Sequence, residues 1–118
     1  MAGTRINLAV DYGADAKIMQ NFSIDLTNSL VELEILPAIN TPSQDRLVYA
    51  ASSGISDAMI NKTLVTPSPL NFIIETVITD DILTRRLGVG TFFYRIFSTA
   101  AGSGYKEELS RGRFTYKD

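Results

Sequence analysis

The 118-residue chain contains no Cys and no His, so any side-chain chemistry has to start from its carboxylates. Three pairs stand close in sequence: Glu32 with Glu34, Asp80 with Asp81, and Glu107 with Glu108. Glycoside hydrolysis is a reaction that two carboxyls can run, and it needs them facing across a cleft with one held protonated. Each pair here has a structural place instead: the outward parity of a strand, the first turn of a helix, and a hairpin strand. Without Cys or His there is no Ser-His or Cys-His relay, no disulfide, and no zinc, iron–sulfur or haem ligation by those residues. No EF-hand loop surrounds Asp80 and Asp81. Gly88-Val89-Gly90 lacks the rest of a phosphate-binding fingerprint and lies between helix and strand in the wrong order. The expectation is a protein that is not an enzyme, with no catalytic residues, no cofactor and no metal, whose function lies in its surfaces.

Charge is the first surface signal. The balance of 11 basic and 13 acidic residues hides a segregation. Residues 1–84 hold four basic and ten acidic side chains, whereas residues 85–118 hold seven basic and three acidic. Arg85, Arg86, Arg95, Arg111, Arg113 and Lys117 make the last third basic. A nucleic-acid groove is one use for such a patch. A match to an acidic face on a neighbouring subunit suits opposite-signed regions better, and an ordinary solvated surface is the plain alternative.

Aromatic residues supply the second signal. Along 90–98, Phe92, Tyr94 and Ile96 take one parity while Phe93, Arg95 and Phe97 take the other. A strand apolar on both faces is either buried centrally or presents a patch that a partner covers. Phe93, Arg95 and Phe97, with Arg111, Arg113 and Tyr116 on the last strand, are therefore the candidate interface residues.

These residues need elements to position them, and the periodicity reads mostly as strand. Residues 5–12 alternate with Ile6, Leu8, Val10 and Tyr12 on one side, and a turn at 13–15 leads to a run through Ile18, Phe22 and Ile24. After a turn at 25–29, the 30–36 strand points Val31, Leu33 and Ile35 inward and Glu32 and Glu34 outward, and Pro37 closes it. A polar loop at 37–45 precedes a short strand at 46–51. Residues 52–69 read as an excursion with a small strand near 63–65. The 71–78 run, apolar on both parities except Glu75, reads as a central strand covered on both faces. Thr79 as N-cap, acids at 80–81 and Gly88 as the stop mark one short helix near 79–87. Strands at 90–98 and 106–117 flank a tip at Gly102-Ser103-Gly104. About seven short strands with regular turn signals predict a single all-β domain over 1–118, an antiparallel β-sandwich with a small barrel as its competitor. The most apolar window, 70–78, falls far short of the roughly 20 residues of a membrane helix, and no signal-like stretch opens the chain. The expectation is a chain made and kept in a cytoplasm, with no membrane partner.

Taken in order, the landmarks form a pattern. Gly13-Ala14-Asp15-Ala16 precedes a strand, Asp25-Leu26-Thr27-Asn28 follows it, and Val31-Glu32-Leu33-Glu34-Ile35 comes next. Asn71-Phe72-Ile73-Ile74 leads to Gly90-Thr91-Phe92-Phe93-Tyr94-Arg95-Ile96, and Leu109-Ser110-Arg111-Gly112-Arg113-Phe114-Thr115 closes the chain. This resembles the small immunoglobulin-like β-sandwich domains of tailed-bacteriophage structural proteins, of the baseplate upper protein N-terminal and fibre–tail adaptor type. The sequence departs from the family pattern at Asn28, where a turn glycine is usual, and at Arg95, where an acid is usual; residues 37–69 match no part of it. The resemblance implies an immunoglobulin-like sandwich without enzymatic activity, made in a host bacterial cytoplasm and ending up in a virion. Its partners would be tail, baseplate, fibre or capsid subunits in a symmetric homo-oligomeric assembly, with nucleic acid not among them. Because this sequence stops at Asp118, the expectation is a stand-alone connector that anchors a fibre or spike. A capsid decoration protein is the first alternative. A carbohydrate- or peptide-binding sandwich is the second, with Tyr49, Tyr94 or Tyr105 stacking on the ligand.

Overall fold

A computed structural model describes residues 4–118, with side-chain surroundings from Ile6 onward. The elements in chain order are β1 (Thr4–Arg5), β2 (Leu8–Asp11), β3 (Ala16–Phe22), β4 (Ser29–Leu36), β5 (Val48–Ala51), β6 (Ala58–Pro67), β7 (Leu70–Ile78), α1 (Asp80–Arg86), β8 (Gly90–Ala100) and β9 (Lys106–Lys117). A 3-10 turn at Ser43–Asp45 lies between β4 and β5. The all-β class and the single short helix thus agree with the sequence.

The strands do not separate cleanly into two antiparallel sheets. The strands follow one hydrogen-bonded path, β1-β9-β8-β4-β5-β6-β7-β3, with β2 continuing along β9 beyond β1. Both β1 and β2 run parallel to β9, with Thr4 opposite Ser110 and Leu8 opposite Phe114. β5 and β6 are also parallel, through Ala50 and Ala58. The result is a mixed sheet rolled nearly into a barrel. Two features bend it. β6 pairs with β5 only through Ala58 and Met59 and then turns to β7 from Ile60 onward. In β9 one extra residue, Leu109, is bulged between Ser110, opposite Ile96, and Glu108, opposite Phe97. Such bulges increase local twist and let a sheet curl.

Inside the roll lies one core. Ile18 and Phe22 of β3, Val31, Leu33 and Ile35 of β4, Phe72, Ile74 and Ile78 of β7, and Tyr94, Ile96, Phe114 and Tyr116 of β8 and β9 all converge on it. In β3 the strict alternation of buried and exposed positions places Gln20 inward too, where its Nε2 donates to the Tyr94 hydroxyl at 3.1 Å. Helix α1 adds Leu83. It starts where Thr79 Oγ1 accepts from the Ile82 N–H at 3.4 Å and stops at Gly88, whose φ of 74° follows Leu87. Asp25 Oδ1 accepts from the Thr27 N–H at 3.0 Å, the turn that the Asp-Leu-Thr-Asn run predicts.

Three sequence readings need correction. Residues 52–69 are not an excursion with a small strand. They contain the ten-residue β6, which Lys62 ties to the 25–29 turn by donating to the carbonyls of Leu26 at 3.0 Å and Ser29 at 2.6 Å. β7 is not central: it lies one strand from the end of the path, between β6 and β3, and is covered on one face only, since Val77 stays 41% exposed. The 5–12 strand is broken at Ile6 and Asn7, where the chain arches over Gly112. There the Ile6 N–H donates to the Arg111 carbonyl at 3.0 Å, and Asn7 Oδ1 accepts from the Arg113 N–H at 3.1 Å.

Candidate interaction surface

The outer face of β4, β8 and β9 is laid out by register. Glu34 lies opposite Arg95, and Arg95 opposite Arg111. One pair along in either direction on this face, Leu36, Phe93 and Arg113 form a second row, and Glu32, Phe97 and Glu108 a third. Alternation places Glu34 outward, as the sequence predicts, yet its side chain is only 4% exposed. The loop after β4 folds back over it. Ser43 Oγ donates to Glu34 Oε1 at 3.0 Å, Arg95 Nη2 reaches the same oxygen at 3.3 Å, and Arg46 Nη1 approaches Oε2 at 3.5 Å. Arg95 Nη2 also donates to the Thr41 carbonyl at 3.1 Å. One carboxylate therefore pins two arginines and a loop to the sheet, and the near-complete pairing is what makes its burial tolerable.

Beside this network the Arg46 guanidinium sits 3.8 Å from the Tyr49 ring centroid, and the Tyr49 hydroxyl donates to Glu32 Oε2 at 2.6 Å. Burial and that hydrogen bond push the Tyr49 pKa up to about 12. On β9, Arg111 makes a two-pronged pair with Glu108 at 2.6 and 3.0 Å, which holds its pKa above the ordinary value. Phe97 is flanked by Arg95 at 5.5 Å and Lys106 at 4.5 Å from its ring centroid.

Between these groups lies a depression of about 400 Å³, lined by Asn7, Ile39, Phe93, Tyr94, Arg95, Arg111, Gly112 and Arg113. It brings together four of the six candidate interface residues: Phe93, Arg95, Arg111 and Arg113. Phe97 shares the face but lies outside the depression, beneath its two cations. Tyr116 is a correction. It shares the parity of Phe114, is fully buried, and stacks on Tyr12 at 5.5 Å, so it is a core residue and not part of the outer surface. Asn7, Ile39 and Gly112 complete the lining and were not singled out from sequence. Ile39 left a readable trace, being the only large apolar side chain between Pro37 and Arg46.

The other candidate groups are dispersed. Of the three tyrosines that could platform a sugar, Tyr94 is buried, Tyr49 is roofed by Arg46, and only Tyr105 is open. Most of the paired carboxylates are engaged locally. Asp81 pairs with Arg85 at 2.8 Å, Asp80 accepts from Thr84 at 3.2 Å, and Glu108 is held by Arg111. Among the described residues no group of three or more His, Cys, Asp or Glu is placed to hold a metal ion, and no helix is long and apolar enough to cross a membrane. No protein-family model matches the sequence, and no curated protein matches it.

Proposed function

We propose that the chain is a non-enzymatic structural protein of a tailed-bacteriophage virion. It anchors a fibre or spike to the tail or baseplate, and the outer face of β4, β8 and β9 is its contact surface for a neighbouring subunit of that assembly. The observation that carries the docking is the depression itself. Phe93 lines it together with Arg95 and Arg111, both already fixed by Glu34 and Glu108, so the surface is shaped before a partner arrives. Aromatic and arginine side chains are the types that dominate protein–protein contacts. The virion context comes from the sequence resemblance. On this reading the two halves of the rolled sheet, β1-β9-β8-β4-β5 and β6-β7-β3, are the two layers of an immunoglobulin-like sandwich joined through β6.

The test is location in particles of the phage that encodes the chain. Mass spectrometry of purified virions and particle imaging are expected to place it at a tail–fibre joint with the symmetry of the tail. Absence from purified virions overturns the virion reading. A position on capsomers in many copies would make it a capsid decoration protein instead.

A further inference from the structure

We infer that the occupant of the Phe93–Arg113 depression is a second copy of this chain, seated through its acidic end. The inference rests on the reading of the outer β8–β9 face as a docking surface and names its partner. The depression is lined by three guanidinium groups and no carboxylate. Arg95 and Arg111 are neutralised within the chain by Glu34 and Glu108. Arg113 is different. It is exposed, and among the described arginines from Arg46 onward it is the one with no ion pair. Phe93 and the exposed Ile39 add apolar surface beside it. The lining therefore selects a ligand in which carboxylates flank an apolar group.

The chain itself presents that chemistry elsewhere. Asp15 Oδ1 accepts from the Asp80 N–H at 2.8 Å, which locks the turn at 11–15 onto the start of α1. The Tyr116 hydroxyl lies 3.5 Å from the Gly13 N–H and 3.3 Å from Thr84 Oγ1, joining the same two segments from below. Asp11, Asp15, Asp80 and Asp81 are thereby gathered at one end of the roll. The Asp11 and Asp81 side chains are 76% and 73% exposed, and their ion pairs, to Lys117 at 3.8 Å and to Arg85 at 2.8 Å, lie in solvent where such pairs are weak; four carboxylates against two cations leave this end acidic. Tyr12 stands exposed among them, its ring backed by Tyr116. Carboxylates around a propped aromatic ring complement arginines around Phe93 and Ile39.

The two surfaces are distinct. The acidic end adjoins Gly90 opposite Tyr116, whereas Phe93 and Arg113, which line the depression, pair with each other about 10 Å further along β8 at the rise of a strand. A contact between an end of one copy and the flank of the next is heterologous, so every copy offers both halves and the series closes as a ring or runs on as a filament.

Light scattering on the purified full chain, coupled to size exclusion, tests this. Wild-type protein is expected to form concentration-dependent species larger than a dimer at low salt. These species dissociate as salt rises and the screening length falls from about 10 Å at 0.1 M to about 3 Å at 1 M. Arg113→Glu blocks the depression and Asp11→Ala/Asp81→Ala weakens the acidic end. Each is expected to loosen self-association by about tenfold or more, with unchanged circular dichroism. Mixed together, the two variants retain one intact contact and stop at a 1:1 pair. A wild type that stays monomeric at low salt and high concentration overturns the inference, as does self-association unaffected by both variants. If the wild type is monomeric but Arg113→Glu still fails to enter particles, the self-contact falls and the docking reading stands. Self-association by a chain missing from virions gives the reverse.

Discussion

Gly112→Ala tests whether the outer surface is built as described, because it strikes the point where the edge of the sheet crosses β9. A Cβ on Gly112 would overlap the Ile6 carbonyl oxygen outright. It would also lie 2.7 Å from the Ile6 carbonyl carbon and 3.0 Å from Tyr94 Cε1. Two of those three atoms are backbone, so no rotamer change relieves the clash and the chain at 6–7 has to lift. Lifting it removes the Ile6 N–H bond to Arg111, the 2.6 Å bond from the Tyr94 hydroxyl to the Ile6 carbonyl, and the bond from the Arg113 N–H to Asn7 Oδ1. At about 1 kcal/mol net per hydrogen bond the loss is about 3 kcal/mol. Alanine recovers about 0.5–1 kcal/mol over glycine in a strand, which leaves a destabilisation of about 2–2.5 kcal/mol. For a domain of this size that lowers the melting temperature by about 10 °C. Gly102→Ala is the control. It meets nothing within 4 Å and is strained only by its φ of 83°, so it is expected to cost about 1 kcal/mol. Urea unfolding gives both values, and hydrogen exchange at Leu8–Asp11 reports whether β2 loosens with the crossing. A Gly112→Ala variant no less stable than Gly102→Ala would refute the crossing and with it the wall of the depression.

Three further outcomes follow from the same geometry. Glu34→Gln leaves Arg95 and Arg46 without their carboxylate. It is expected to cost about 2 kcal/mol, below the figure for a fully buried pair because Arg46 is partly solvated, and to speed limited proteolysis within residues 37–47. An unchanged cleavage rate would show that the loop is held by something else. Tyr94→Phe removes the hydroxyl that joins Gln20 Nε2 to the Ile6 carbonyl, and chemical denaturation should show a loss of about 2 kcal/mol. Tyr49 is protonated in both the folded and unfolded chain below pH 10. Its folded pKa of about 12 exceeds the unfolded value, so the stability it contributes is present below pH 10 and is lost as the pH rises toward 12. A difference ultraviolet titration against Tyr49→Phe should show the late phenolate, and Glu32→Gln should bring it earlier. A Tyr49 that ionises near pH 10 in the otherwise unaltered chain would show that the Glu32 bond is not made.

Local order was readable in the sequence and long-range order was not. The alternation in β4 and β8, the Thr79 cap, the Gly88 stop and the Asp25 turn are all set by residues within a few positions of each other, and each appears where the residue types place it. The strand path depends instead on pairings between distant segments. β6 gave no alternation to read, because past Ile60 its positions are mostly exposed and it ends on Pro67. Parallel docking of β1 and β2 against β9 joins opposite ends of the chain through backbone bonds that carry no sequence signal. The site divides the same way. Phe93, Arg95, Arg111 and Arg113 were legible from parity and charge. The burial of Glu34 was not, since it depends on Arg95, 61 residues away, and on a loop whose polar composition gives no sign of folding back.

That buried network also explains how the arginines of the depression divide their work. Fixing an arginine side chain costs up to about 2 kcal/mol of rotamer entropy, and in a bare groove this cost would fall on the moment of binding. Here Arg95 and Arg111 are fixed on folding by Glu34 and Glu108, so they contribute shape more than net charge. Arg113 keeps its charge and its freedom, and in the proposed contact it would supply the long-range attraction that exposed, unpaired charge gives an encounter. Glu34 has one more consequence. Through Ser43, Arg46 and Arg95 with Thr41 it holds the loop that carries Ile39 to the rim. A carboxylate that does not itself line the depression thus sets its outer wall.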